Sequence, residues 1–171
     1  DVYFLNTQTG YIGGSNLQRT TNGGQNWSEV QTNSSVINNL FFLNASSGWI
    51  AGLNGVFKTE NGGLNWTSLN VNSEVTDISF VNGLTGYYCN YTNTLAKTTN
   101  GGSNWVSQGY KLNTNDNCVY FLNENTGFMA GGTFYKTTNG GSNWASLSYT
   151  AANRIKFFNE NTGFVATGGN S

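Results

Sequence analysis

The sequence predicts an all-β protein made of a repeated antiparallel sheet, and three observations support that prediction. A tryptophan closes the same turn at Trp27, Trp66, Trp105 and Trp144, so the repeat is 39 residues long. Apolar and variable residues alternate on both sides of each turn, which is the period of a β-strand. Turns are built from Gly and Asn, because the chain has 23 glycines and no proline.

Each repeat opens with two predicted strands around the motif Phe-x-Asn-x-x-(Thr/Ser)-Gly-aromatic. An aliphatic residue precedes each Phe by two positions, so one face of the first strand is constant and the other varies. The second strand follows the Gly and reads aromatic, mostly aliphatic, then small. The small third residue indicates close packing against a neighbouring backbone. Five copies of the motif occur, with their phenylalanines at Phe4, Phe42, Phe80, Phe121 and Phe157.

A third strand leads into the repeated turn and a fourth is predicted to start at its tryptophan. Leu17, Val56, Leu95 and Phe134 stand two residues before a cation, again alternating apolar and polar. Four short antiparallel strands in 39 residues are typical of a propeller blade, in which each sheet covers the apolar face of the next. The predicted fold is a β-propeller of four full blades and a two-stranded half blade, at residues 1–35, 36–74, 75–113, 114–150 and 151–171.

The repeated turn Thr-x-Asn-Gly-Gly-x-Asn-Trp, which we call the box turn, resembles the Asp-box or BNR repeat, whose usual form is Ser-x-Asp-x-Gly-x-Thr-Trp. Asn replaces the family's Asp and its second Thr in every copy, and the lost carboxylate argues against a calcium site. The resemblance implies a structural turn at the blade periphery. The matching residues are Thr20, Asn22, Gly24, Asn26 and Trp27; Thr59, Asn61, Gly63, Asn65 and Trp66; Thr98, Asn100, Gly102, Asn104 and Trp105; and Thr137, Asn139, Gly141, Asn143 and Trp144.

Composition excludes several classes of function. Seven cations against eight acids give a net charge of −1, which provides no basic surface for nucleic acid. Histidine is absent, so the commonest general base and metal ligand is missing. No apolar stretch approaches the roughly 20 residues of a membrane span, and direct membrane insertion is not expected. Because histidine is absent and the box turn lacks the family's carboxylate, we predict no metal. We also predict no cofactor.

Catalysis is not expected either, although some relatives of the box turn are enzymes. Sialidases of this kind need an arginine triad, and the chain has only Arg19 and Arg154. Xyloglucan-hydrolysing enzymes with Asp-box blades need two catalytic aspartates, as glycosidases commonly need two facing carboxylates. Asp77 and Asp116 occur near the starts of successive inner strands and could face one another at the channel mouth, while Asp1 starts the chain. Solvated turn positions are the simpler interpretation.

Three further sets of residues have two interpretations each. The cations of the third strands could form a charged ring for an acidic partner or be solvated strand positions: Arg19, Lys58, Lys97 and Lys136. Aromatic residues outside the constant column could bind sugars or proteins, or be buried between blades: Tyr3, Phe41, Tyr120 and Phe158. Cys89 and Cys118 could form one disulfide, or Cys89 could be a small buried residue.

The strings Phe121 to Phe128 and Lys136 to Gly141 are similar to propellers in large secreted proteins of Bacteroidetes-type bacteria, which often use type IX secretion. This resemblance implies a secreted or cell-surface, adhesin-like scaffold with a protein or glycan partner. A carbohydrate-binding propeller attached to a polysaccharide-degrading system is the alternative. Propellers that assist photosystem II assembly rely on an arginine patch, which two arginines cannot supply. We also expect the chain to belong to a longer one, as part of a six- to eight-bladed ring; a compact five-bladed ring is the alternative.

Overall fold

A computed structural model describes residues 1–111, 118–148 and 152–166 of the chain. In those ranges it contains eighteen β-strands and no helix. The strands form four four-stranded antiparallel sheets and one two-stranded sheet. The prediction of an all-β chain with four complete sheets and a half sheet is confirmed.

Strands follow one another across every sheet in chain order. The first sheet contains β1 (Val2–Phe4), β2 (Gly10–Gly13), β3 (Leu17–Thr20) and β4 (Ser28–Val30). The second contains β5 (Ile37–Phe42), β6 (Gly48–Gly52), β7 (Gly55–Thr59) and β8 (Thr67–Ser68). The third contains β9 (Val75–Phe80), β10 (Gly86–Asn90), β11 (Thr94–Thr98) and β12 (Val106–Lys111). The fourth contains β13 (Cys118–Phe121), β14 (Gly127–Ala130), β15 (Phe134–Thr137) and β16 (Ala145–Ser148), and the fifth β17 (Arg154–Asn159) and β18 (Thr162–Ala166).

The fourth strand of each complete sheet begins one residue after the box tryptophan, not at the tryptophan itself. The chain divides into two compact units, Asp1–Ile78 and Ser79–Ser171, and the division falls within β9. The first unit holds the first two sheets. It also includes the start of β9, and the second unit holds the rest of β9 and the strands that follow it.

The ring of the motif phenylalanine lies on the motif glycine, and this contact explains why the position is glycine. Gly127 pairs with Phe121 across β13 and β14, and a Cβ at Gly127 would lie 2.5 Å from Cε1 of that ring. Gly10 stands in the same relation to Phe4, with a hypothetical Cβ only 2.7 Å from the ring. Any side chain here would displace the phenylalanine, so the motif requires glycine at this position.

Every sheet has two different faces. The forward face carries the aromatic residue after the motif glycine, and the rear face carries the motif phenylalanine. In the first unit, Tyr11 and Leu17 of the first sheet pack with Leu40, Phe42 and Ile50 of the second in one buried cluster. Burial of this apolar area, worth about 25 cal/mol per Å², holds successive sheets together.

The second unit repeats this arrangement twice. Tyr87, Cys89 and Leu95 pack with Val119, Phe121 and Met129. Phe128 and Ala130 pack with Ile155, and Phe157 lies against the same cluster. At these junctions each forward face therefore covers the rear face of the next sheet.

The two cysteines are buried in different clusters, and no disulfide joins them. Cys118 Sγ lies 3.6 Å from the carbonyl oxygen of Ala152, to which it donates a weak hydrogen bond. Cys89 occupies the small third position of its second strand and faces the rear of the fourth sheet. The disulfide considered from the sequence is thus not formed, because each thiol is packed at its own junction between sheets.

Candidate functional site

The box turn is held by its own threonine and asparagine. Thr20 Oγ1 donates a hydrogen bond to Asn22 Oδ1 (2.9 Å) and accepts one from the Gly24 amide (3.0 Å). Asn22 Oδ1 also accepts a hydrogen bond from the Asn26 amide at 3.0 Å. The same three bonds recur in the other copies, around Thr59, Thr98 and Thr137. These oxygens are therefore engaged inside the turn.

The paired glycines of the box turn supply the backbone conformation that the turn needs. Gly23 and Gly24 have φ of 69° and 89°, in the left-handed region that glycine adopts without a steric penalty. Both glycines of the three later copies also have positive φ. The indole of Trp27 donates to the Gly24 carbonyl at 3.0 Å. In the described residues, Trp66, Trp105 and Trp144 make no such bond, so the indole donates to a turn carbonyl in the first copy only.

The box tryptophans contact the motif phenylalanines of their own sheets through ring edges. Phe4 and Trp27 meet at 6.1 Å and 81°, and Phe121 and Trp144 at 5.8 Å and 85°. Edge-to-face geometry of this kind is favoured by the ring quadrupoles. The box turn is therefore fastened to the rear face of its own sheet.

The four third-strand cations lie against aromatic rings. Register places each cation directly opposite the aromatic residue of the second strand, as with Tyr11 and Arg19. Arg19 Nε donates to the Tyr11 hydroxyl at 2.9 Å. Lysine ammonium groups lie 5.2 to 5.8 Å from ring centroids in the pairs Lys58–Trp49, Lys97–Tyr87 and Lys136–Phe128. The four cations are half-buried, so each contacts an aromatic side chain of its own sheet and also keeps part of its surface in solvent.

Tyrosine hydroxyls link neighbouring sheets to one another. Tyr11 donates to the carbonyl of Gly62, and Tyr87 donates to the carbonyl of Gly140 at 2.9 Å, so both reach the next box turn. Burial raises the pKa of Tyr87 to about 12, and the nearby Glu124 carboxylate adds to the effect. Burial also raises the pKa of Tyr11, against a lowering contribution from Arg19. These phenols are therefore hydrogen-bond donors at neutral pH, not bases.

The off-column aromatics divide into two groups. Tyr3 and Tyr120 are half-buried and donate to the carbonyls of Phe42 and Phe157, each at 3.0 Å. Phe41 is also half-buried and lies 6.2 Å from Trp49. Phe158 differs, because it is exposed on the last sheet. Packing therefore explains three of the four residues, and Phe158 keeps its candidacy as a contact residue.

The two aspartates within the described residues are both held in the fold. Asp77 is buried in β9, Asp1 accepts a hydrogen bond from the Leu40 amide at 2.8 Å, and Asp116 lies outside the described residues. In the ranges that the structure covers, no group of three Cys, Asp or Glu residues could hold a metal ion. Within the same ranges, no helix is long and apolar enough to span a membrane.

Two equivalent grooves lie beside the first two box turns. One, of about 390 Å³, contains Arg19, Asn22, Asn26, Ser28 and Val30 in its lining. The other, of about 370 Å³, is lined by the corresponding residues one repeat later, among them Lys58, Asn61, Asn65, Thr67 and Leu69. Each lining combines amides and hydroxyls with one cation, an aliphatic residue and one glutamate, Glu29 or Glu60. Such a set of polar groups suits a hydroxyl-rich ligand.

A third groove was not indicated by the sequence motifs. It has a volume of about 510 Å³ and brings Glu124 and Glu160 into one lining with Thr126 and Thr138. Glu124 Oε1 accepts a hydrogen bond from Asn82 Nδ2 at 2.6 Å, and Glu160 Oε1 accepts one from Thr126 Oγ1 at 3.2 Å. The motif repeats Glu at this position only in these two copies, and that recurrence is the signal that could have revealed the pair.

No family model and no curated protein sequence matches this chain. Solved structures do match. A GH74 enzyme of Niastella koreensis is 20% identical with a TM-score of 0.64, over 86% of this chain and 24% of the enzyme. PorZ, an essential surface component of the type-IX secretion system of Porphyromonas gingivalis, is 14% identical with a TM-score of 0.68, over 98% of this chain and 24% of PorZ. YCF48 bound to D1 peptide is 14% identical with a TM-score of 0.54, over 98% and 89% of the two chains.

These likenesses show the fold. The chain is a β-propeller protein with four-stranded antiparallel blades, as the repeats predicted. It spans about a quarter of the length of the GH74 enzyme and of PorZ. Its neighbours include both an enzyme and a bacterial surface component, and the fold is therefore compatible with a non-catalytic module.

Proposed function

We propose that this chain is a non-catalytic β-propeller module that serves as a binding scaffold in a secreted or cell-surface, adhesin-like protein. The proposal rests on one observation. The polar groups that recur from repeat to repeat form the hydrogen bonds that hold turns, strands and sheets together. Threonine and asparagine oxygens close the box turns, while cations and phenols join strands and sheets. A rigid frame of this kind can present variable loops to a protein or glycan partner.

The proposed location and repeat type have separate support. PorZ is a surface component of a type-IX secretion system and has the same fold. The box turn differs from the Asp-box in two positions but keeps a hydroxyl, an oxygen acceptor, a glycine and a tryptophan in the same order. We therefore propose Asp-box repeats and export to the cell surface by the type IX route. Labelling of intact source cells with an impermeant reagent tests the location, and protection from that reagent would contradict it.

A hydrolysis assay tests the non-catalytic part of the proposal. The chain is incubated with xyloglucan, other plant glucans and a sialylated glycoprotein, and released reducing ends or sialic acid are measured. We expect none above the level of the heat-denatured chain. Glu124→Gln and Glu160→Gln are the informative variants, because these carboxylates share a groove. Turnover by the wild type that both substitutions abolish would make the chain an enzyme.

Carbohydrate binding is the second candidate, and the pair of equivalent grooves favours it. Two sites with the same amide, hydroxyl and cation pattern, one repeat apart, suit a polymer with repeating hydroxyl groups. The test is a glycan array followed by calorimetry on any ligand found. The double variant Asn26→Ala, Asn65→Ala removes one exposed amide from each groove, and Asn72→Ala is an exposed control outside both linings. No saturable binding, or equal binding by all three proteins, would reject this candidate.

A further inference from the structure

Six asparagines of the chain are followed directly by glycine, and this pair of residues is open to a covalent change. The backbone nitrogen of the glycine can attack the side-chain carbonyl carbon of the asparagine, because glycine has no Cβ to obstruct the approach. The sequence alone does not distinguish the six pairs, whereas the structure does, through the surroundings of each glycine amide. The asparagines are Asn22, Asn54, Asn61, Asn82, Asn100 and Asn139.

The four pairs in the box turns have a glycine amide that is already hydrogen-bonded. In each copy it donates to a carbonyl of the motif turn, which is the turn between the first and second strands of the same sheet. Attack by the glycine nitrogen would first require this hydrogen bond to break, so the box turn protects its asparagine. The donor and acceptor pairs, at 2.8 to 2.9 Å, are Gly23 and Gln8, Gly62 and Ser46, Gly101 and Leu84, and Gly140 and Asn125.

The pair Asn54–Gly55 is protected by packing. Gly55 is buried and pairs with Gly52 across β6 and β7, where the two strands are joined by a two-residue hairpin. A Cβ at Gly55 would lie only 1.9 Å from the carbonyl oxygen of Val71. Ring closure onto the Asn54 side chain would have to move the Gly55 nitrogen, and that movement would disrupt the hairpin.

The pair Asn82–Gly83 is accessible. Gly83 is exposed, no atom lies within 4 Å of its hypothetical Cβ, and its amide donates no hydrogen bond to any described residue. Asn82 Oδ1 accepts hydrogen bonds from the amides of Leu84 (2.8 Å) and Thr85 (2.7 Å). Two N–H donors on this oxygen stabilise the negative charge that it acquires when its carbon is attacked. Among the six pairs, only this one combines a free, exposed glycine amide with a carbonyl held in this way.

We propose that Asn82 is a site of spontaneous deamidation in the folded protein. A hydroxide ion or buffer base removes the Gly83 amide proton, and that nitrogen forms a bond to Cγ of Asn82. The bond between Cγ and Nδ2 breaks, and the leaving nitrogen departs as ammonia after it takes a proton from water. Water then opens the cyclic imide at either carbonyl and leaves an aspartate or an isoaspartate at position 82. Overall, one water is consumed and one ammonia is released.

Deamidation changes a contact between the third and fourth sheets. Asn82 Nδ2 donates a hydrogen bond to Glu124 Oε1 at 2.6 Å. A carboxylate at position 82 replaces this donor with a second negative charge beside Glu124. Glu124 also lines the groove that contains Glu160, so the modification makes the rim of that groove more acidic.

Peptide mapping by tandem mass spectrometry tests the proposal. The folded chain is incubated in mildly alkaline buffer and sampled over time. We expect Asn82 to deamidate at least about tenfold faster than the asparagines of the four box pairs, since the loss of one hydrogen bond costs about this factor. In the urea-unfolded chain the difference should largely disappear. An unmodified Asn82 in the folded chain, equal rates at the box pairs, or a difference that persists in urea overturns the proposal.

The variant Gly83→Ala tests the role of the glycine. Its added methyl group lies in open space, so thermal melts should match those of the wild type. The methyl group obstructs attack by the backbone nitrogen, and we expect deamidation of Asn82 to slow about tenfold or more. An unchanged rate would show that ammonia is lost by direct hydrolysis instead, and this result also overturns the proposal.

The converse variant, Ala45→Gly, should create a second reactive site. Asn44 is the equivalent of Asn82 in the second sheet, and its Oδ1 accepts hydrogen bonds from the amides of Ser46 (2.9 Å) and Ser47 (2.8 Å). Ala45 is exposed, and its amide donates no hydrogen bond to any described residue. We expect Asn44 to be stable in the wild type and to deamidate at a rate close to that of Asn82 in the variant. An Asn44 that stays unmodified in Ala45→Gly would contradict the proposed geometry.

Discussion

The hydroxyl of Tyr87 donates a hydrogen bond to the carbonyl oxygen of Gly140, 2.9 Å away and 53 residues along the chain. Lys97 Nζ donates to the same carbonyl at 2.9 Å. Gly140 belongs to the box turn of the fourth sheet, whereas Tyr87 and Lys97 belong to the third. The box turn is therefore also the place where the preceding sheet is anchored, in addition to closing its own hairpin.

Removal of the Tyr87 hydroxyl should weaken this anchor moderately. Tyr87→Phe keeps the ring stacked on Phe121, and Lys97 still satisfies the Gly140 carbonyl. We expect a loss of about 0.5–1.5 kcal/mol in the free energy of unfolding, and a Tm lower by about 2–5 °C. Tyr87→Leu, which also removes the stacked ring, should cost clearly more. Equal losses in the two variants, measured by urea unfolding, would show that the stacking contributes nothing.

Stability should fall in strongly alkaline solution. Burial raises the pKa of Tyr87 from 10.0 in the unfolded chain to about 12 in the folded protein. A raised pKa stabilises the fold fully below pH 10, and this contribution is lost as the pH rises from 10 toward 12. Urea unfolding at successive pH values measures the decline, and phenolate absorbance reports the titration. Tyr87→Phe should show a shallower decline; an identical one would assign the effect to other groups.

The ring over the motif glycine should make that position intolerant of alanine. Gly127→Ala brings a Cβ to 2.5 Å from Phe121, whose ring cannot retreat because Tyr87 stacks on it at 3.5 Å. Overpacking of this kind typically costs about 1–3 kcal/mol. Gly83→Ala is the matched control, since no atom lies within 4 Å of its hypothetical Cβ. The urea unfolding midpoints of both variants test this prediction. A midpoint for Gly127→Ala equal to that of the wild type would contradict the packing explanation.

The box asparagine should be replaceable by aspartate but not by an apolar residue. Asn100 Oδ1 accepts hydrogen bonds from Thr98 Oγ1 (3.0 Å) and the Asn104 amide (2.9 Å). Asn100→Asp retains an oxygen acceptor, and we expect stability within about 0.5 kcal/mol of the wild type. Asn100→Leu leaves those donors without their acceptor and should cost about 1–3 kcal/mol. Thermal melts of the two variants compare them; similar losses would mean that the amide nitrogen matters instead.

The contacts of the third-strand cations could not be predicted from the sequence. Their spacing predicted strand positions, and Lys97 does lie in β11. The spacing of the repeats does not show that Lys97 lies directly opposite Tyr87, because this pairing depends on the register between β10 and β11. Once the register is known, the contact of Lys97 with the Tyr87 ring at 5.2 Å follows. The Glu124 and Glu160 pair shows a similar limit, because the shared motif position identifies both residues but only the packing of the fourth and fifth sheets brings them into one groove.

The sequence by itself determined the repeat, the strands and the box turn. These features depend on local chemistry: alternation reports a strand, paired glycines permit positive φ, and Thr and Asn oxygens bond within a few residues. Tertiary structure alone decided which face of each sheet is covered. Phe128 and Phe164 follow the same motif glycine, yet Phe128 is buried under Phe157 and Phe164 is open to solvent. A residue's burial depends on the sheet that packs against it, and that neighbour is not encoded in its own repeat.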